Sequence, residues 1–409
     1  MRILIVNNLY PPFIFGGYEI LCHQVVEELK KRGHHVSVLT STYGLDFAPP
    51  GQEDFIERSL ELTTSFPRPG ENVGFVDFRL STIEKVALLN MARTQDFIAR
   101  HQEGFDLVFG WCLNRLSLGS FFAARKQNIP IAYSVNDEHP RQFRFTRTCN
   151  WVRDFLRLFA EKFFFRHSTM RSLGNFPVTV ISKALQKNII SHGLDLSHAQ
   201  VIYQGIQVDS LPFRFNPRRS EKDFKILYAG QISRAKGVHT IIKALGALKE
   251  RLPEAKLTIA GSGVPDYRQE LDKLVEESDL KNQVNFIGKV PHEKLFELHY
   301  HNHCFVFSSE WEEPFGLTHL EAMALGNPVI STTTGGSKEL IVDGDNALAY
   351  QAGNDQELAE AVFRLAQDDS LRRKLAFNAR DYVQNHHSFS GYVDQLETFM
   401  QNAVLQAKI

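Results

Sequence analysis

The stretch CFVFSSEWEEPFGLTHLEAMALGNPVIST, residues 304–332, reads in turn as strand, loop, helix and strand. CFVFSS and PVIST are short apolar runs, EWEEPFG carries the Pro-Phe-Gly break of a loop, and LTHLEAMALG reads as a helix with Gly326 as its stop. Strands that are apolar without alternation are buried on both faces, which is the condition of a parallel sheet covered by helices. The same unit recurs outward along the chain. RILIV, HVSVLT, DLVFG, IPIAYSV, VTVIS and QVIY mark strands in the first half; KILYAG, KLTIAG and VNFIG precede the quoted stretch in the second. Between the first two strands Leu21, Val25 and Leu29 recur every four residues and Gly33 follows as a stop. The fold class predicted is α/β, with two Rossmann-like, doubly wound domains.

VDSLPFRFNPRRSEKDF, residues 208–224, replaces this pattern with Pro, Arg and Ser and reads as the break between domains. It gives an N-terminal domain over 1–210, a linker over 211–223 and a C-terminal domain over 224–386. Residues 387–409 form a last helix, with Tyr392, Leu396, Phe399 and Ala403 on its apolar face, expected to pack back on the N-terminal domain. A chain of 409 residues with 43% hydrophobic content can fill two such cores. A ligand is expected between the domains, beyond the carboxyl ends of the strands.

A net charge of −1 offers no field for nucleic acid. Cys22, Cys112, Cys149 and Cys304 are scattered, without metal-ligand spacing or a disulfide framework, so no metal is expected. No signal-peptide pattern opens the chain, and no run approaches the roughly 18 to 20 apolar residues of a membrane span. The expected location is cytoplasmic, with peripheral contact at the inner face of a membrane left open by one segment. Residues 141–171 hold eight Arg/Lys against Asp154 and Glu161, a net of +6 that leaves the rest of the chain at −7. Eight aromatic residues are interleaved with those cations. The segment reads as a packed helix with a solvated cationic rim, Phe155, Phe159 and Phe163 making core contacts at spacing four; a face for an anionic bilayer is the alternative.

Gly16-Gly17, between the first strand and first helix, suits either a tight turn or an anion at a helix N-terminus. It is not GxGxxG, and HVSVLTSTYG ends without the acidic residue of a dinucleotide site, which disfavours a nicotinamide dehydrogenase. Arg234 and Lys236 follow a strand and precede a helix; either they are solvated surface cations or they form a phosphate site. Phe315, Gly316, Leu317 and Thr318 would supply the free N–H groups of a helix's first turn. Glu313 and Glu321 would repel phosphate there but can accept hydrogen bonds from hydroxyls; the plainer reading is that acids favour a helix N-terminus. A ligand with phosphates in its middle and sugar hydroxyls at both ends meets both demands, and a nucleotide sugar is such a ligand.

Glu313 to Glu321 with EPFG, then EAMALGNPVI and TTTGGSKELIVDG, resembles the donor-site motif of family 4 glycosyltransferases, the group 1 enzymes. PPFIFGGYE, VTVISKAL, VIYQGI, AGQISRAKGV and IAGSG extend the likeness over nearly the whole chain. The resemblance implies a GT-B fold, two Rossmann-like domains facing each other across a cleft. It also implies a retaining, metal-independent hexosyltransferase of polysaccharide or glycoconjugate biosynthesis, using a nucleotide sugar, UDP- or GDP-linked, as co-substrate and no other cofactor. On that likeness Gly17 would approach the diphosphate, Lys236 would neutralise it, Glu313 would bind hydroxyls of the transferred sugar and Glu321 the ribose. Amides of Phe315, Gly316, Leu317 and Thr318 would bind sugar and phosphate oxygens, and Gly261, Gly263 and Lys289-Val290 would border the base. Two positions depart from the family pattern. Gln231 stands where Arg is common, shifting diphosphate charge to Arg234; Asn136 stands where an acceptor-side His is expected, with Asp137 and His139 following. The acceptor would be a sugar, a lipid-linked sugar or a small molecule. A sugar-nucleotide epimerase of the same fold, or a binding protein without turnover, are the alternatives.

Overall fold

The computed structural model describes residues 1–51, 53–68, 79–143, 151–217 and 223–407. The first half builds β1 (Arg2–Asn7), α1 (Gly17–Lys31), β2 (His35–Ser41), β3 (Ile56–Leu60), α2 (Leu80–Arg100), β4 (Leu107–Cys112), α3 (Gly119–Lys126), β5 (Ile131–Val135), α4 (Trp151–Phe164), β6 (Val178–Val180), α5 (Lys183–Ser191) and β7 (Gln200–Val201). Then follow β8 (Lys225–Ala229), α6 (Val238–Ala247), β9 (Lys256–Ala260), α7 (Pro265–Glu277), β10 (Val284–Gly288), α8 (His292–His301), β11 (Cys304–Phe307), α9 (Leu317–Leu325), β12 (Val329–Thr332), β13 (Leu348–Tyr350), α10 (Asp355–Gln367), α11 (Asp369–His386) and α12 (Phe389–Gln406). The strands form a seven-stranded sheet in the order β3-β2-β1-β4-β5-β6-β7 and a six-stranded sheet in the order β10-β9-β8-β11-β12-β13. Pairing is parallel throughout, as between Ile3 and Val36 or Ile226 and Leu257.

The apolar strand runs account for this. Ile3, Leu4 and Ile5 of β1 are fully buried, and Leu21, Val25 and Leu29 press one face of α1 onto the sheet before Gly33, at φ +86°, ends the helix turn. In the second sheet Ile226, Leu257, Ile259 and Val306 pack with Ile241, Ile242 and Leu358 of the flanking helices. Each such side chain contributes about 1.5–3 kcal/mol on burial.

The chain divides into two units, Met1–Ile202 with Val393–Ile409, and Tyr203–Tyr392. Residues 203–210 and the described part of the linker belong to the second unit. The Tyr203 hydroxyl donates to Glu339 at 2.7 Å, and the Arg214 amide donates to the Leu325 carbonyl at 3.1 Å. Residues 218–222 of the linker lie outside the described residues. In the first unit, Arg32 at the end of α1 donates to Asp394 at 2.6 Å and Glu397 at 2.9 Å, tying α12 to α1. Tyr392, Leu396, Phe399 and Ala403 are all buried.

Two sequence readings change. Strands β3 and β13 offer no apolar run to read: IERSL is polar and half-buried, and LAY is three residues long. Phe155, Phe159 and Phe163 are not core contacts; all three are exposed on α4. Residues 144–150 of the basic segment lie outside the described residues. No helix among the described residues is long and apolar enough to cross a membrane.

Candidate active site

In the second sheet the chain runs outward from β8 through β9 to β10, then returns to place β11 on the other side of β8. At such a reversal open α/β sheets bind ligands beyond the carboxyl ends of the two central strands, at the loops that leave them. Those loops carry Lys236 and Glu313. Residues Arg234–Lys236 form one 3-10 turn after β8, and Gly237, at φ +64°, leads into α6. A side chain at Gly237 would collide with the Ser308 carbonyl, so glycine lets the two loops touch. They are then stitched: Glu310 N–H donates to Ala235 O at 2.8 Å, and Ser308 Oγ donates to Lys236 O at 2.7 Å. The result is an ion pair of Lys236 Nζ with Glu313 Oε1, the same oxygen that accepts from Ser309 Oγ at 2.6 Å. The Glu313 side chain is 10% exposed and that of Lys236 27%, so the carboxylate is inside and the ammonium reaches the surface.

Beyond Glu313 the loop turns into α9 through Gly316 at φ +130°, where a Cβ would strike the His319 ring. Leu317 and Thr318 open the helix and are half-buried, with their amides in the turn that no intrahelical acceptor serves. Phe315 is buried, its ring stacked on Tyr203 at 5.8 Å, so only its backbone is available to a ligand. Beneath the turn, His319 Nε2 meets Ser331 Oγ at 2.7 Å, and burial pushes the ring down to about 3, keeping it neutral. The loop after β12 braces Glu313 from behind. Gly336 N–H donates to Glu313 O at 2.6 Å, and Thr332 Oγ1 donates to Ser309 O at 2.8 Å. Glu321 is half-buried in the second turn of α9.

Gly261, Gly263 and Val290 sit where β9 and β10 end, in the same sheet. Gly261 N–H donates to Gly288 O at 2.8 Å, and Gly263 pairs with Ile232. Arg234 is not gathered with Lys236: it is exposed, paired with Glu270 of α7, and its guanidinium lies 5.5 Å from the Tyr267 ring centre.

In the first unit, Gly17 is the first residue of α1. Glu19, which sequence reasoning passed over, already serves this end: its carboxylate accepts from Gly16 N–H at 2.8 Å, and burial raises its pKa. A glutamate three residues after the helix-capping position, Gly16, was the available signal. Asn136 is buried and donates through Nδ2 to Trp111 O at 2.7 Å and Ser134 O at 3.2 Å. Asp137 Oδ1 lies 2.7 Å from His139 Nδ1 and accepts the His139 amide at 2.9 Å. His139 Nε2 is buried without a protein hydrogen-bond partner among the described residues. Ser309, His319 and Gly336 were also passed over, and Ser309 carried no signal, since a serine before a loop is ordinary.

Solved structures share this architecture. Anabaena HepE, solved with UDP and glucose, superposes with a TM-score of 0.68 at 19% identity over 98% of this chain and 99% of that one. Sucrose-phosphate synthase from Thermosynechococcus elongatus superposes at 0.69 with 21% identity over 98% of each chain. The fold is GT-B, the two-Rossmann architecture of a large class of glycosyltransferases. The model of Glycosyltransferase Family 4 matches residues 15–210 and that of Glycosyl transferases group 1 matches residues 209–382. The chain belongs to the family 4, group 1 glycosyltransferases. An uncharacterized glycosyltransferase of Methanocaldococcus jannaschii is 27% identical over 402 residues, 95% of each chain. Glycogen synthase of Mycobacterium tuberculosis is 26% identical over 396 residues, 93% of this chain and 89% of that one.

Proposed function

We propose that this glycosyltransferase moves a hexose from a nucleoside diphosphate sugar to an acceptor hydroxyl with retention of configuration and without a metal ion. The observation that carries this is the Lys236–Glu313 pair beside the first turn of α9, cation toward the surface and carboxylate inside. A diphosphate at this point meets the ammonium and the amides of Leu317 and Thr318, while Glu313 and Glu321 accept hydrogen bonds from the hexose and ribose hydroxyls. As the bond from the anomeric carbon to the phosphate oxygen breaks, its electron pair goes to the diphosphate. Lys236 and the helix amides stabilise that growing charge, each by a few kcal/mol. The acceptor oxygen bonds to the anomeric carbon on the face the diphosphate leaves, and its proton passes to the leaving phosphate. Positive charge from the protein then fills the part a divalent ion plays elsewhere.

UDP is the nucleotide favoured, because a neighbour in fold has been solved with UDP-glucose. The Gly261–Gly263 and Val290 loops border the base. On the acceptor side we assign His139 rather than Asn136. With Asp137 accepting from Nδ1–H, Nε2 is left without a protein partner among the described residues, whereas the Asn136 amide is spent on two backbone carbonyls. Incubation with UDP- and GDP-hexoses and a panel of sugar acceptors, with and without chelator, tests the reading. Transfer with the donor's anomeric configuration, unaffected by chelator, is expected. Inverted product, metal-dependent turnover or an epimerised donor would overturn it.

A further inference from the structure

We propose that the exposed face of α4 is a docking surface for an anionic lipid bilayer. Val152, Phe155, Leu156, Phe159 and Phe163 recur at spacings of three and four, so they share one face of the helix, and Phe164 lies at its end. All six are 44–66% exposed. Large apolar side chains exposed singly are ordinary, but six on one helix of 14 residues form a patch. The rings of Phe159 and Phe163 lie 4.5 Å apart, tilted by 40°, so two of the six touch each other.

The chain that follows the helix is anchored. There Glu84 of α2 accepts three hydrogen bonds. They come from His167 Nδ1 at 2.6 Å, the His167 amide at 2.9 Å and Ser168 Oγ at 2.8 Å.

Charge selects the occupant. The face lies within the stretch of net +6, in a chain otherwise at −7, and Lys162 and Arg166 are exposed beside it. Two copies meeting through this face would bring two such stretches together and repel. A surface of acidic lipid headgroups attracts the cations while accepting the phenyl rings at the acyl boundary, the arrangement of a helix lying in the interface plane. This inference goes beyond the transfer reaction, and its test uses no sugar donor, so the two stand or fall separately.

The test is sedimentation of the full chain with sucrose-loaded vesicles of phosphatidylcholine, with and without phosphatidylglycerol. Wild type is expected to pellet with the phosphatidylglycerol vesicles and to release as salt rises. Phe155→Ser/Phe159→Ser/Phe163→Ser should lower partitioning on the order of 100-fold. Lys162→Gln/Arg166→Gln should lower it roughly thirtyfold, about fivefold per cation removed. Both variants should keep the wild-type urea midpoint, since every changed side chain is exposed. Wild type left in solution at low salt overturns the proposal, as does binding that the phenylalanine substitutions do not weaken. Dimerisation that the same substitutions abolish, without vesicle binding, would assign the face to a second copy instead.

Discussion

Replacing Lys236 by Met removes one of two donors from a carboxylate that is 10% exposed and leaves Ser309 alone on Glu313 Oε1. Breaking a buried ion pair from one side costs about 3–5 kcal/mol. Because the Lys236 side chain is 27% exposed, water reaches the vacated position and the expected loss is about 2–3 kcal/mol of unfolding free energy. Glu313→Gln keeps an acceptor for Ser309 and leaves the ammonium free to turn to water, so it costs about 1 kcal/mol. The double variant retains no orphaned charge. It should be more stable than the sum of the singles implies, by a coupling of about 1–2 kcal/mol. Urea unfolding of the four proteins measures this cycle. Turnover measured on the same four must behave differently under the proposed function: all three variants should lose about 100-fold or more, because there the paired groups act on the sugar donor and not only on each other. Additive stabilities would refute the buried-pair reasoning. A double variant with wild-type turnover would remove both residues from the reaction.

Glu321→Ala removes the proposed ribose partner from a half-buried helix turn and should weaken UDP-sugar affinity about tenfold while leaving the urea midpoint in place; unchanged affinity by calorimetry removes Glu321 from the site. Stability should also fall with pH in a defined window. Burial holds His319 at about 3 and His387 at about 4, both below the 6.5 of an unperturbed ring, so the unfolded chain takes up their protons before the folded one does. Their contribution is full above about pH 6.5 and declines below it at roughly 1.4 kcal/mol per pH unit for each ring. Unfolding midpoints that do not move between pH 6.5 and 5 would contradict this.

Both Rossmann-like sheets were legible because their inner strands are unbroken apolar runs, and burial on both faces leaves no other pattern for them to follow. Strands β3 and β13 were not legible, since IERSL carries no apolar run and LAY is only three residues long. Glu313, Lys236, Gly316 and the first turn of α9 could be named from a motif, for a helix N-terminus and a carboxylate after a strand are local features. Local pattern could not separate Lys236 from Arg234, two cations in one short turn. Glu270 and Tyr267, on a helix some thirty residues further on, hold the second, and the contact between Gly237 and Ser308 brings the first to Glu313. The same limit explains α4. A period of four states which phenylalanines share a face, but whether anything covers that face depends on every other segment of the chain. Asn136 and His139 differ likewise. One amide is taken by the carbonyls of Trp111 and Ser134, and one imidazole nitrogen is left over, because strands distant in sequence end side by side. Periodicity and local chemistry are properties of neighbours along the chain; pairing and coverage are settled only when remote segments compete for the same atoms.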